Sequence, residues 1–206
     1  MEADPHDTRE IGAQQDGGSA GLSYGLRLGI LFILLLLVYL AVAWLALEPL
    51  GYYGTREQPR FQDPWLERTR TILGKGMLYR DVHTTTPPLT NYLLLPPSLV
   101  AIWVGEVNPW MTLAFMLYYG LFNLLAAYAL LFLSRDRRQG YLSAIAFLLN
   151  PITMGNAVLQ RQDESVLAFF FALALSFALN ERQWRAGLAA GLTMLIKLTG
   201  ALVVAV

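Results

Sequence analysis

Three groups of ionisable side chains interrupt this largely apolar sequence, and the first contains Asp63. Asp63 is followed by Pro64. Aspartate at the N-cap and proline in the first turn are typical of a helix start. Gly74 fits the C′ position at the other end of the same short helix. The residues therefore predict that Asp63 caps a helix, a position that does not prevent its carboxylate from also taking part in chemistry.

The second group is the adjacent pair Arg80 and Asp81. A guanidinium can bind a phosphate in a bidentate manner, and a carboxylate can hold a metal ion or accept a hydrogen bond from a sugar hydroxyl. A solvated ion pair is the alternative, and the residues leave both open. His83 has no second ligand at metal-binding spacing, so it is interpreted as a surface residue.

The third group lies in the segment from Gln160 to Ser165, which includes Arg161, Asp163 and Glu164. Asp163 is placed to cap the helix that follows. That helix has an uncharged, mainly apolar run of only 14 residues, 166–179, which extends for about 21 Å. A span this short draws its polar ends towards the membrane, and charges at such depth are more often functional than decorative.

Lys197 lies within the last apolar run. A lysine in the middle of a membrane helix costs roughly 2.5–3.5 kcal/mol on insertion scales. Either an anionic partner stabilises it, or its long side chain reaches the membrane surface. Both alternatives remain open.

These groups need apolar elements to position them, and the composition predicts membrane helices. Hydrophobic residues make up 55% of the chain and charged residues 15%, against about 25% charged residues in a soluble domain. Residues 28–47 and 110–133 are uncharged runs of 20 and 24 residues, long enough to cross a bilayer. The formal net charge of zero predicts no nucleic-acid partner. The sequence thus predicts an all-α, polytopic transmembrane helix bundle.

The predicted organisation is a disordered polar tail over 1–23 and one transmembrane domain over 24–206. Its spans are expected at about 24–47, 110–133, 140–159, 165–180 and 186–206, with a loop over 48–109 that contains a juxtamembrane helix after Asp63. A further apolar stretch, 88–105, contains Pro96 and Pro97. Two consecutive prolines remove two backbone donors. The stretch is therefore expected to form a broken helix that is interfacial or re-entrant.

Basic residues decide the orientation. If 88–105 does not cross the membrane, Arg27, the cluster of Arg135, Arg137 and Arg138, and the pair of Arg182 and Arg185 all fall on one face. The positive-inside rule favours this arrangement over one in which 88–105 crosses. It places the N-terminus in the cytoplasm and the 48–109 loop outside, on the same face as the 160–164 segment. The 48–109 and 160–164 segments could then share a site.

The order of these pieces resembles the N-terminal part of the GT-C superfamily of integral membrane glycosyltransferases, which use polyprenyl-phosphate-linked sugars. The resemblance covers roughly residues 25–206. It rests on an aspartate in the first outer loop, the run Gly-Lys-Gly-Met-Leu-Tyr-Arg-Asp at 74–81, Pro-Pro-Leu at 87–89, Asn-Pro at 150–151, the run Gln-Arg-Gln-Asp-Glu-Ser at 160–165, and the last span through Lys197. Mannosyl- and arabinosyltransferase-like members are the most similar in pattern.

The resemblance implies roles for particular residues. Asp63 matches the catalytic aspartate, a general base on the acceptor hydroxyl or a ligand of a divalent cation, Mg²⁺ or Mn²⁺. Asp163 matches the second acidic position and is the other possible metal ligand, with Glu164 and Asp81 as further substrate-binding candidates. The candidates for the donor phosphate are Arg80, Arg161 and Lys197. Two departures bear on metal use and phosphate binding, because the first acidic neighbour of Asp63 is Glu67 and Thr86 precedes Pro-Pro-Leu where some members have a basic residue.

The resulting expectation is a glycosyltransferase of a prokaryotic plasma membrane. It would move a sugar from a polyprenyl-phosphate donor to a glycan, lipid or protein acceptor on the outer face. The alternative is part of a transporter or flippase, with the broken helix lining a polar path. The chain ends inside an apolar run at Val206, which is expected of a piece of a longer protein.

Overall fold

The computed structural model describes residues 17–47, 64–105, 109–134, 136–160 and 162–198. Within these ranges the chain is helical and forms no extended strand. The helices are α1 (Gly17–Leu47), α2 (Pro64–Leu73), α3 (Pro88–Leu93), α4 (Leu95–Val104), α5 (Pro109–Leu133), α6 (Arg137–Leu149), α7 (Pro151–Gly155), a π-helical turn (Asn156–Gln160), α8 (Glu164–Leu179) and α9 (Gln183–Ile196). The all-α prediction is confirmed for this part of the chain.

Helix α1 begins earlier than the sequence predicts. It starts at Gly17 rather than at residue 24, so residues 17–23, predicted as disordered, are helical. The chain divides into two compact units within this helix, between Leu34 and Leu35. The N-terminal unit contributes the helical residues 17–34, and all packing described below belongs to the unit that starts at Leu35.

Few described helices are long enough to cross a membrane unaided. The segment Trp110–Leu131 of α5 has the required length and hydropathy. A second candidate is the pair Arg137–Leu149 and Pro151–Val158, if the two are counted as one span bent by 48°. Helix α8, with 16 residues, is shorter, as its apolar length predicted.

The Pro96-Pro97 pair breaks the 88–105 stretch, as expected. Helices α3 and α4 meet at Leu94, and the two prolines lie in the first turn of α4, where a missing N–H costs least. The carbonyl of Leu93 would receive its helical hydrogen bond from residue 97, but proline has no N–H. The Tyr118 hydroxyl of α5 donates to Leu93 O instead.

Pro151 predicts a bend in the helix that it interrupts, and at the Asn150-Pro151 pair the chain does bend, by 48°. The Asn150 side chain caps α7 by accepting a hydrogen bond from Ile152 N, at 2.9 Å. This leaves Leu148 O without its helical donor, and the buried Tyr39 hydroxyl donates to it at 3.1 Å. Asn123 donates to both Tyr39 Oη and Thr153 O, each at 3.2 Å. Tyr39 on α1 therefore satisfies the carbonyl that the break frees, and Asn123 on α5 joins Tyr39 to α7.

The directions of α5, α8 and α9 define two opposite ends of the helix bundle. Helix α8 runs parallel to α5, since Phe122 contacts Phe169 and the ends of both helices line one cavity. Helix α9 returns beside α8 after a short turn. The start of α8 therefore lies beside the end of α9, which we call the site end. At the opposite end, called the basic end, the end of α8 lies beside the start of α9.

Helix α2 begins at Pro64 as predicted, but its C-terminal end differs from the prediction. The left-handed residue that ends it is Lys75, with φ 61°, rather than Gly74. Gly76 N donates to Thr71 O at 2.8 Å, completing a Schellman turn, and a Cβ on Gly76 would lie 2.7 Å from Thr71 Cγ2. Leu66 and Thr69 of α2 are buried, while Leu73 is 55% exposed. Packing against α3 and α4 determines which face is covered.

Candidate functional site

Lys197 lies just beyond α9 at the site end. The sequence placed it inside a continuous helix, but α9 ends at Ile196 and Lys197 is extended, with φ −152° and ψ 136°. Its ammonium group is 3.3 Å from Asp163 Oδ1 and forms a second ion pair with Glu164 Oε1. Of the two alternatives for this lysine, the structure shows the anionic partner.

Asp163 occupies the N-cap position of α8 without acting as a side-chain cap. Its side chain accepts no capping hydrogen bond from α8, and it turns instead to Lys197. The carboxylate is 13% exposed. Burial raises the pKa of Asp163 above its ordinary value, and the negative charge of Glu164 acts in the same direction, while Lys197 lowers it. The capping explanation for Asp163 therefore does not account for its side chain.

Glu164 completes a three-residue cluster with a net charge of −1 when all three groups are ionised. Its Oε1 atom binds Lys197, and its Oε2 atom is buried with no hydrogen-bond partner among the described residues. The part of the chain that the structure describes contains no group of three or more His, Asp or Glu placed to hold a metal ion. The Lys197 ammonium already bridges the two carboxylates, so this cluster does not fit a divalent cation.

Helix α3 is fixed directly beside the cluster. The buried hydroxyl of Thr90 donates a hydrogen bond to the carbonyl of Ile196 at 2.5 Å. Ile196 directly precedes Lys197. The last carbonyls of a helix have no donor within the helix, so Thr90 supplies one at the C-terminus of α9. The broken helix α3 and the ion-pair cluster are thus parts of one local structure.

Arg68 is a candidate that the sequence analysis missed. It lies on α2, and its Nη1 atom donates to Thr86 Oγ1 at 3.0 Å and to Asn91 Oδ1 at 3.4 Å. The guanidinium also lies over the ring of Trp65, 4.5 Å from its centroid. Asn91 is buried and is the neighbour of Thr90 on α3. Trp65 and Arg68 are three residues apart, so they are neighbours on a helix surface, and this spacing could have indicated their contact.

The turn that brings Thr86 to Arg68 contains a strained residue. Tyr79 has φ 70°, in the left-handed region that costs a non-glycine residue of order 1–2 kcal/mol. Its hydroxyl donates to Thr86 O at 2.7 Å. Asn91 Nδ2 donates to Pro87 O at 3.2 Å. These contacts fix the loop between α2 and α3 around the Arg68 guanidinium.

Arg80 and Asp81 form the solvated pair that was the alternative to a binding role. Arg80 Nε is 2.7 Å from Asp81 Oδ1, and the two side chains are 68% and 36% exposed. Asp81 Oδ2 also accepts from Met77 N at 2.8 Å. Two hydrogen bonds lower the pKa of Asp81 to about 2, and the bond from Arg80 has a larger effect than the bond from Met77 N. These contacts close the 77–81 turn and do not join it to the Lys197 cluster.

Two predicted site residues, Asp63 and Arg161, lie outside the described residues. Among the others, the structure brings Lys197 together with Asp163 and Glu164, which precede it by 34 and 33 positions in the chain. Asp63 immediately precedes the first residue of α2, the helix that carries Arg68.

Comparison with protein-family sequence models gives one match, to Glycosyltransferase family 87, over residues 85–206. The matched range contains α3 through α9 and every residue of the ion-pair cluster. Comparisons with curated proteins and with solved structures give no match.

Proposed function

Because this chain belongs to glycosyltransferase family 87, we propose that it is a polytopic membrane enzyme of GT-C type that transfers a sugar from a polyprenyl-phosphate donor on the outer face of the membrane. The acceptor is a hydroxyl group of a glycan, lipid or protein. The family match does not favour the transporter alternative.

The observation that carries the proposal is the cluster of Asp163, Glu164 and Lys197 at the ends of two apolar helices. The cluster lies where α3, α8 and α9 meet, beside a fixed guanidinium on α2. A donor whose lipid tail stays in the bilayer presents its phosphate and sugar at such a depth. Charged and polar groups fixed there in advance can stabilise charge that develops during transfer.

Arg68 is the proposed contact for the donor phosphate. Thr86, Asn91 and the face of Trp65 hold its guanidinium in a fixed position on α2. Lys197 already bridges the carboxylates of Asp163 and Glu164. We therefore assign Lys197 to orienting Asp163 and Glu164, and Arg68 to the phosphate.

Asp63 is the proposed general base on the acceptor hydroxyl. A carboxylate within hydrogen-bond reach of that hydroxyl takes its proton as the new glycosidic bond forms and the polyprenyl phosphate leaves. Arg68 stabilises the negative charge on the departing phosphate. Asp163 and Glu164 have carboxylate oxygens suited to accept hydrogen bonds from sugar hydroxyls.

The first experiment measures transfer of labelled sugar from polyprenyl-phosphate donors by membranes that contain the chain. Asp63→Asn is expected to lower the rate by about 10²–10⁴-fold, the range for a positioned acid or base. Glu181→Gln, a carboxylate removed at the basic end, is the control and is expected to retain the wild-type rate. Full activity of Asp63→Asn at wild-type protein levels would sink the assignment.

A second measurement separates donor binding from chemistry. Arg68→Gln is expected to raise the KM for the donor, whereas Arg68→Lys keeps the charge and recovers part of the binding. The two side chains differ because lysine cannot form the bidentate contact. An unchanged KM for both variants would remove Arg68 from the phosphate site.

The orientation is tested with single cysteines, since the chain has none of its own. Gln162 precedes α8 at the site end and Ser134 follows α5 at the basic end. With a membrane-impermeant maleimide on intact cells, cysteine at 162 is expected to label and cysteine at 134 is not. The reverse pattern would place the site in the cytoplasm.

A further inference from the structure

A cavity lies between α5 and α8 at the basic end, away from the ion-pair cluster. Its volume is about 360 Å³, within the size range of small-molecule sites. Its walls are mainly apolar and include Leu125 and Ala129 on α5 and Phe169, Leu173 and Phe177 on α8. The proposed transferase chemistry does not use this cavity.

The cavity is polar at the turn that follows α8. There it is bordered by Ser176, Asn180 and Arg182. Asn180 Nδ2 donates to Ser176 O at 2.7 Å, and this side-chain amide therefore caps the end of α8. The Arg182 side chain is exposed, and within the described residues its guanidinium has no ion pair or hydrogen bond. This end of the cavity therefore offers a cation to a ligand.

The backbone fixes Arg182 at the mouth of the cavity. Arg182 N donates to Phe177 O at 2.9 Å, and Glu181 N to Ala178 O at 3.1 Å. The left-handed conformation of Glu181, with φ 57°, reverses the chain immediately before Arg182. The turn is therefore part of the helix end rather than a freely placed loop.

The cavity lies at one end of the candidate membrane span of α5. That span ends at Leu131, and Tyr128 and Ala129 of the cavity lie within its last turn. The basic residues Arg137, Arg138 and Arg185 lie at the same end. Basic pockets between membrane helices on the cytoplasmic side bind anionic lipid headgroups.

We propose that the cavity between α5 and α8 binds an anionic phospholipid of the bilayer, with an acyl chain against the apolar walls and the headgroup phosphate on Arg182. The apolar walls complement the chain, and the guanidinium complements the phosphate. The proposal rests on the membrane location of the chain, and its readout is independent of sugar transfer.

The test is native mass spectrometry of the purified, delipidated full chain with added phosphatidylglycerol or phosphatidylcholine. Phosphatidylglycerol is expected to bind at least about tenfold more tightly, because a charge-assisted hydrogen bond contributes about that factor. Arg182→Gln is expected to remove the difference between the two lipids. Arg138→Gln, which makes the same change in net charge at the same end but outside the cavity lining, is expected to retain it.

A second variant tests the acyl-chain part. Ala129→Phe places a ring in the cavity and is expected to lower the affinity for both lipids, while Leu142→Phe on the exposed side of α6 leaves it unchanged. Thermal unfolding of each variant without lipid shows whether it is folded. Equal binding of the two lipids by the wild-type chain would overturn the proposal. So would loss of phosphatidylglycerol preference in Arg138→Gln, or displacement of phosphatidylglycerol by polyprenyl phosphate, which would make the donor the occupant.

Discussion

The two ends of α8 hold their charges in different ways. At the site end, Asp163 and Glu164 share the ammonium of Lys197, and the carboxylate of Asp163 is mostly buried. At the basic end, Glu181 and Arg182 are exposed, and Arg182 makes no ion pair within the described residues. The same helix thus begins in a fixed, partly desolvated cluster and ends in solvated charges.

The difference shows which charges are constrained by the fold. Desolvating an ion costs several kcal/mol unless it is paired, so a partly buried cluster persists only with its partners in place. An exposed arginine carries no such cost and is available to a ligand. The site end is therefore expected to be sensitive to any charge removed, and the basic end tolerant.

Among changes at the two ends of α8, the largest expected effect is that of Asp163→Asn on the transfer rate. This change removes one anion from the cluster and releases Lys197 from one of its two contacts, so groups at the site move relative to the donor. Misplacement by about 1 Å can cost about 10²-fold in rate. The transfer rate of membranes containing Asp163→Asn is expected to fall by that factor, and that of Glu181→Gln to stay at the wild-type value.

Loss of activity in both variants would contradict the contrast between the ends. Loss in neither would remove Asp163 from the site.

The second effect is on stability, through Lys197→Met. The substitution leaves two adjacent carboxylates partly buried without their shared cation, and is expected to lower the free energy of unfolding by about 1–3 kcal/mol. Arg182→Met at the basic end is expected to change it by no more than about 0.5 kcal/mol. Thermal and denaturant unfolding in detergent measure both.

The matched rescue is Asp163→Asn with Glu164→Gln in the Lys197→Met background. Removing the two negative charges is expected to restore part of the lost stability. If the triple variant is no more stable than Lys197→Met, the cost comes from packing and not from charge.

A smaller effect is expected from Tyr118→Phe, which removes the donor to Leu93 O at the break before Pro96. An unsatisfied buried carbonyl costs about 1–2 kcal/mol. Tyr92→Phe is the control, since the Tyr92 side chain is 53% exposed. Equal unfolding free energies for the two variants would show that water or another group replaces the Tyr118 hydroxyl.

The smallest effect concerns acid pH. Because burial raises the pKa of Asp163, the folded chain binds more protons at this group than the unfolded chain between pH 3.8 and the raised value. Its contribution to stability therefore falls as pH rises through that window. Asp81 acts in the opposite direction: its pKa is lowered to about 2, so its contribution is present above pH 3.8 and is lost as pH falls towards about 2.

The free energy of unfolding, measured as a function of pH for the variants, should show these two opposite pH dependences. Asp163→Asn is expected to make stability rise more steeply with pH just above 3.8, and Asp81→Asn to make it rise less steeply between about 2 and 3.8. Slopes that change in the same direction would show that the two carboxyl groups do not differ in environment as described.

The sequence by itself determined the helical class and where the helices break. Apolar runs predicted α5 and α8 closely, because the length of an uncharged run directly limits a helix that must bury it. Pro96, Pro97 and Pro151 predicted both breaks, because a missing N–H and a ring clash are local effects. Which face of α2 is covered depends on α3 and α4, so its own sequence does not specify it.

The tertiary structure decided which charges meet. Asp163 and Lys197 are 34 positions apart, and only the return of α9 beside α8, together with its end at Ile196, brings them into contact. Nothing in the local sequence around Lys197 predicts that end, since no proline or glycine precedes it within five residues. Arg68 was missed for the same reason. Its acceptors are on a turn and on α3, and the value of a charged residue depends on partners that local sequence does not specify.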